Sequence, residues 1–504
     1  MIPAPAFTPT AFIGAMALLA AFGCGLFFEG YQDIIYAPGI IALLVFSLLA
    51  VLPGCWRGLM VPTSFFALSV ALFWLYITLS LSWTTIPFAS LVTYLIAIVL
   101  PLTFFSLLMA QDRIAWLSLC ASLLMVALTA LAGWAVIQGV FLQELFYRAQ
   151  HPLQNPNSLG ALLNLPLFAV LPVFLTRDRL DLRAGLGLAA AGLFFAGILA
   201  TESRGALFAT CAALPIMFWL MRSHWRKIAL LLAVLTTIFG AMHLANDGAV
   251  LHRITHMNVA GSGEDTMTPR KALWDAALDM AREHPLTGTG LGTFYLYYPA
   301  HRAPLVDNSA GSWVHNDPLQ FAVEMGWAAP VLFYIVLLAA LLRTISALKH
   351  AGPRSQLRPF IVAPFCALIT LAIDAHVSFP LYLIPITICA AVLLAVWYEA
   401  TMRALAPAAQ DRVVHFHGWQ QSFVGIMAIA VAAMLGLMAA SSAAGAYYLQ
   451  QARTAIKQGD FANFVIMAET ADRWGPPSFI DPHVHLAGLY IDMLVPPAGL
   501  IYPD

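Results

Sequence analysis

A ladder of apolar runs, interrupted once by a long polar stretch at residues 246–317, limits what this chain can fold into more than any other feature. Each run is about 20 residues long, the length needed to cross the hydrocarbon core of a bilayer as a helix. Lipid offers no partner for a free backbone N–H or C=O, so such runs must satisfy their own hydrogen bonds as helices. A 20-residue window places spans at roughly 10–28, 35–54, 62–83, 87–110, 114–141, 158–176, 184–201, 205–221, 228–245, 319–342, 359–374, 381–398 and 422–448. The chain is 61% hydrophobic and 10% charged, against about a quarter charged in soluble domains. The sequence therefore predicts an all-α, polytopic membrane protein with about 13 transmembrane helices, a large helical outer loop and a short tail.

The net charge of −1 gives no reason to expect nucleic acid or an acidic partner. Residues 1–10 carry no Lys or Arg, so the first run reads as a retained span rather than a cleaved leader. The six cysteines lie in or at the ends of apolar runs, which suits packed thiols better than a disulfide framework or a thiolate metal site. With the N-terminus inside, alternate short links hold Arg57, Arg113, Arg177, Arg179, Arg183, Arg222, Arg226, Lys227, Arg343, Lys349, Arg354, Arg358, Arg403 and Arg412. The positive-inside rule then puts the 246–317 loop and the C-terminus outside.

The outer loop has structure of its own. Thr268-Pro269 reads as a helix start, and Leu273, Ala277 and Met280 recur at helical spacing up to Pro285. The run Gly288-Thr289-Gly290-Leu291-Gly292 then turns the chain, and Asn316 or Asp317 with Pro318 opens the next span. Tyr448 to Asp472 reads as a helix, a short turn and a helix, similar to one unit of a tetratricopeptide-like repeat, with further units expected beyond residue 504. The division is a membrane domain over 1–448 and a tail over 449–504.

Three residues carry the candidate chemistry. Arg204, in Glu202-Ser203-Arg204-Gly205, is an arginine on the outer side, where the charge bias disfavours one. It suits a snorkelling anchor or a clamp on an anionic group such as phosphate. Arg270 opens the loop helix, where a surface charge or a second phosphate contact are both open; Lys271 and Arg302 are weaker candidates of the same kind. His315, in His315-Asn316-Asp317-Pro318, suits either a packed residue at a helix start or a base for an acceptor hydroxyl. Asp317 suits orienting that histidine or capping the helix. Tyr295, Tyr297 and Tyr298 offer faces for a sugar ring and equally suit an interfacial belt. Asp374 and His376 interrupt the 359–398 pair of spans, as functional groups or as part of a turn before Pro380. The loop acids Glu264, Asp265, Asp275 and Asp279 are scattered, and no hard-metal ligand set is evident.

In combination, Ser203-Arg204-Gly205, Arg270-Lys271-Ala272-Leu273-Trp274, Pro285-Leu286-Thr287-Gly288-Thr289-Gly290-Leu291-Gly292, His315-Asn316-Asp317-Pro318-Leu319-Gln320 and Glu324-Met325-Gly326 occur in an order that resembles the O-antigen ligase/polymerase superfamily of bacterial inner-membrane glycosyltransferases. Asn155-Pro156-Asn157 fits the same family, and the match covers roughly 150–345. The resemblance implies transfer of a glycan from undecaprenyl pyrophosphate to an acceptor hydroxyl at the periplasmic face, with inversion and without a metal or other cofactor. It implies Arg204 and Arg270 as pyrophosphate contacts and His315 as the acceptor-side histidine. The acceptors it implies are a lipid A core sugar, a growing glycan chain or a protein hydroxyl. Ala375-His376-Val377-Ser378-Phe379-Pro380-Leu381 and the tail resemble the polymerase and protein-glycosylating branches somewhat more than the simplest ligases. A transporter or lipid flippase is the competing class, but such proteins place ionisable groups near the membrane midplane, whereas here they gather at one face.

Overall fold

The computed structural model describes residues 8–27, 33–142, 148–175, 181–245, 267–302, 311–405 and 411–476, with isolated residues beside them. Residues 246–266 and 303–310 of the outer loop, with Glu264 and Asp265, and most of 477–504 lie outside the described residues.

The chain is all-α and polytopic. Its helices are α1 (Pro9–Leu26), α2 (Asp33–Arg57), α3 (Phe65–Ser80), α4 (Pro87–Ala97), α5 (Val99–Met109), α6 (Arg113–Phe141), α7 (Pro156–Ala169), α8 (Leu171–Leu175), α9 (Leu182–Thr201), α10 (Arg204–Leu220) and α11 (Trp225–Ala245). After the loop's first described residues come α12 (Met267–Glu283), α13 (Phe294–Tyr297), α14 (Asp317–Met325), α15 (Ala328–Ala351), α16 (Arg358–Asp374), α17 (Ile384–Ala404), α18 (Trp419–Lys457) and α19 (Phe461–Trp474). The starts follow side-chain chemistry: Thr8, Ser64, Asn155, Asp181, Ser203, Asn316 and Asp460 each accept a bond from a first-turn N–H. Among the described residues, ten helices are long and apolar enough to cross a membrane, with α4–α5 and α7–α8 each forming one of them. Helices α3 and α10 are apolar but shorter, and α16 has 17 residues.

Helix α17 sits at the centre of the bundle, against α1, α5, α6, α7, α15 and α16. Its Trp397 and Tyr398 are fully enclosed; Trp397 meets the edge of Phe66 (centroids 4.9 Å) and Tyr398 that of Phe104 (6.0 Å). At one end of the bundle, Arg113 pairs with Glu399 (3.2 Å) and Asp411 (2.9 Å), Tyr398 donates to Asp411 (2.7 Å), and Leu59–Val61 and Arg412–Val414 form two short antiparallel strands. At the other end, Trp83 Nε1 donates to the Thr287 carbonyl (2.9 Å), Thr85 to that of Thr289 (3.0 Å) and Ser90 to that of Leu291 (2.7 Å). The links that the charge pattern assigns to one side thus bond among themselves.

Two boundaries differ from the sequence reading. The span expected at 319–342 is broken: α14 stops at Met325, and the long apolar helix runs from Ala328 to Ala351. Gly326 makes the break, with φ +82 and the Leu286 carbonyl pressed where a Cβ would stand. The division at residue 448 falls inside α18, which continues unbroken to Lys457 before the turn at Gly459. The expected helix–turn–helix then follows: α19 packs on α18 through Ala452, Ala455, Phe464 and Ala468, while Leu449, Ala471 and Phe479 rest on Phe88 and Ala89 of α4.

Candidate active site

Helix α12 fulfils the amphipathic pattern. Leu273, Ala277 and Met280, with Ala276 and Ala281, pack on Phe294, Tyr298, Val314, Ala322 and Val323, so its apolar face rests on protein. That docking puts Arg270, in the first turn, over the site, and Trp274 Nε1 donates to the Val314 carbonyl (3.1 Å), the residue before His315.

His315 is held from several sides. Its backbone lies in the left-handed region at φ +58, a conformation costly for a residue with a Cβ. The Val314 N–H donates to Gln320 Oε1 (3.1 Å) on one side, and Asn316 caps α14 on the other by accepting from the Leu319 N–H (3.0 Å). The His315 ring meets the edge of Phe379 at 5.1 Å, and Phe379 in turn stacks on Trp313. Its Nδ1 is buried with no hydrogen-bond partner among the described residues.

Arg204 opens α10 directly after a two-residue turn from α9. Glu202 adopts φ +48, and Ser203 is buried, donating to Asn157 Oδ1 (3.0 Å) while its oxygen caps the helix. This lock fixes the backbone from which the arginine projects. The three residues meet in one electrostatic group. Burial and then the charge of Arg204 hold the Arg270 guanidinium below its usual value. Burial and then the charge of Arg270 hold the His315 imidazole down at about 4. Arg270 thus lies within electrostatic range of both Arg204 and His315, an arrangement that favours an anionic ligand beside it.

The remaining candidates distribute differently. Asp317 is fully enclosed, and its carboxylate accepts from the Leu381 N–H (3.1 Å), while its own N–H donates to the Ala375 carbonyl (2.7 Å). Burial pushes that carboxyl well above the usual range. It ties α14 to the 375–381 segment, and Asn316 is the cap, so neither expected role of Asp317 is the one observed. Tyr297 hydrogen-bonds Thr85 (2.8 Å), and Tyr298 is buried in the α12 cluster; Tyr295 is more exposed. Lys271 and Arg302 are exposed. His376 bonds to the Ala372 carbonyl (2.7 Å) through Nδ1 and to the Tyr334 hydroxyl (2.9 Å) through Nε2. Asp374 is buried against Gly205, where an added Cβ would stand 3.4 Å from Oδ1. Among the described residues, no three His, Cys, Asp or Glu side chains gather where one metal ion could be held.

Two groups escaped the sequence reading. Arg148 donates through Nε to the Thr201 carbonyl (2.8 Å) and reaches Asn157 Oδ1 (3.4 Å), the same oxygen that Ser203 uses, so a further cation stands beside the Arg204 turn. The available signal was its lone positive charge in an outer link. Glu324, fully buried, accepts from Gln320 (3.0 Å) and Tyr382 (3.1 Å), and its own carbonyl accepts from Gly290 N–H (2.9 Å). It joins the glycine run, α14 and the 380–382 turn behind His315.

Residues 189–334, from within α9 to the start of α15, match the family model described as O-antigen ligase. The chain carries an O-antigen ligase domain. The window holds Arg204, Arg270 and His315, and the match supports the resemblance to the O-antigen ligase/polymerase superfamily. No curated protein matches the chain. Within the O-antigen ligase domain, both ends of the matched sequence serve one purpose: α9–α10 supplies the turn that aims Arg204, and α12 with α14 supplies the surfaces that hold Arg270 and His315.

Proposed function

We propose that this glycosyltransferase moves a glycan from undecaprenyl pyrophosphate to an acceptor hydroxyl at the periplasmic face of the bacterial inner membrane, without a metal. The supporting observation is the electrostatic group of Arg204, Arg270 and His315 at one end of the bundle. The acceptor O–H attacks the anomeric carbon from the face opposite the pyrophosphate. The anomeric carbon–oxygen bond breaks with its electron pair going to the pyrophosphate, and the configuration inverts. Negative charge grows on the leaving group, where two fixed guanidiniums stabilise the transition state more than the ground state. His315 takes the acceptor proton.

An imidazole with a pKa of about 4 is a weak base. The pyrophosphate corrects this. Its charge cancels the field of Arg270 and raises the basicity of His315 when the donor is in place. Without the donor, His315 gains little by activating a stray water, so premature chemistry is suppressed. A lipid A core sugar, a growing glycan chain or a protein hydroxyl as acceptor would use the same three residues and differ only in what sits beside His315. The test is transfer by the purified full-length protein from a lipid-linked oligosaccharide, with excess chelator present. Sustained turnover supports the reading, and complete loss in chelator overturns its metal-free part. Deletion in the host, followed by gels of lipopolysaccharide and of glycoproteins, identifies the acceptor.

A further inference from the structure

A second concentration of positive charge lies at the far end of the bundle. Helices α10 and α16 connect the two ends: Arg204 and Asp374 stand at one, Leu220 and Arg358 at the other. Seventeen residues at about 1.5 Å each separate them by roughly 25 Å. There a cavity of about 410 Å³ opens between the end of α8, the start of α11 and the start of α16. Its walls include Arg177, His224, Arg226, Lys227 and Arg354, and among the described lining residues there is no Asp or Glu. Arg177 shares its charge with Asp181 (3.6 Å), and Lys227 is held by the carbonyls of Phe174, Leu175 and Arg177. Arg226 and Arg354 are exposed.

Cations at a membrane edge ordinarily snorkel apart into solvent. Here they come from the link after α8, the start of α11 and the link before α16, and converge on one concavity. Two exposed tryptophans mark its depth: Arg222 lies over Trp219 (5.6 Å) and Arg226 over Trp225 (5.5 Å). Tryptophan with arginine at this density belongs to the headgroup level of a bilayer. Basic pockets between helices at that level suit anionic headgroups. We propose that this cavity binds the phosphate headgroup of an anionic membrane lipid, separately from the donor site and independently of the transfer reaction.

The test titrates the full-length protein in neutral detergent with phosphatidylglycerol, phosphatidylcholine and inorganic phosphate, reading retained lipid by native mass spectrometry and protection by Tm. Phosphatidylglycerol should be retained and raise Tm, and phosphatidylcholine should do neither. Removing two exposed charges with Arg226→Gln/Arg354→Gln should weaken phosphatidylglycerol binding about thirtyfold. Arg57→Gln/Arg412→Gln removes two exposed charges outside the cavity and should leave that binding unchanged. Equal weakening by both pairs, or equal retention of the two lipids, overturns the site. Protection by inorganic phosphate matching that by phosphatidylglycerol overturns the lipid assignment. A lipid-free Tm equal to wild type in both variants confirms that each is folded.

Discussion

The two ends of the bundle use arginine in opposite ways. At the end with the short strands, Arg113 is buried but matched by Glu399 and Asp411, so its charge is settled within the protein. At the end with the outer loop, Arg270 is half-buried and feels the charge of another arginine, and its own charge helps hold His315 down. A matched charge is structural. An arginine buried beside a second cation raises the energy of the empty site and lowers that of the occupied one. The difference supports placing the donor's diphosphate, in the proposed reaction, at the end with the outer loop.

The largest effect should come from His315→Ala. Removing a proton acceptor in the transition state costs on the order of 10² to 10⁴ in kcat. Transfer assays on the purified variant, with donor binding measured separately, check this. A rate within tenfold of wild type would remove His315 from the chemistry. At the other end, Asp411→Asn should cost about 3 kcal/mol of stability by leaving Arg113 and Tyr398 poorly matched. Its rate per folded molecule should stay at the wild-type level. If the rate falls while stability does not, the contrast between the two ends is wrong.

Arg204→Lys is a sharper test. It keeps the charge but loses the planar fork that grips two oxygens at once, and should cut transfer at least about tenfold. Arg270→Lys should behave similarly. A variant as fast as wild type would show that the arginine acts only as a point charge, or that it is an anchor.

Much of this was legible in the sequence, and for a physical reason. Spans announce themselves by length and apolarity, and the α12 helix by its spacing of Leu273, Ala277 and Met280, because these are local patterns. The order of Arg204, Arg270 and His315 was also visible, since the charge bias made an outer arginine stand out. What stayed hidden depends on partners far along the chain. The 319–342 run reads as one span despite Gln320 and Glu324, and the Leu286 carbonyl against Gly326 shows where it breaks. Glu324 reads as an awkward charge until Gln320 and Tyr382 supply its bonds. The pairing of Leu59–Val61 with Arg412–Val414 joins three-residue segments too short to carry a strand signal. Asp317 looked like a partner for His315 by adjacency alone, but the turn at φ +58 separates the two directions and sends its carboxylate to Leu381.

The smallest predicted effect is a displacement in pH, and it tests the coupling between the two arginines and the histidine most directly. His315 must be neutral to accept a proton, and its depressed pKa means that it stays neutral until the pH falls to about 4. The profile of kcat/KM, which reports the free enzyme, should therefore be flat through the neutral range and fall on the acid side only near pH 4. The profile of kcat reports the enzyme with donor bound. There the pyrophosphate offsets Arg270, so the histidine is more basic and the acid limb should lie at higher pH, displaced towards the ordinary value of 6.5. In Arg270→Gln the cation is gone from both states, and both limbs should move to higher pH. Coincident limbs in the wild-type enzyme would mean that the bound diphosphate does not lie within the field shared by Arg270 and His315, and the anion would then have to be placed elsewhere.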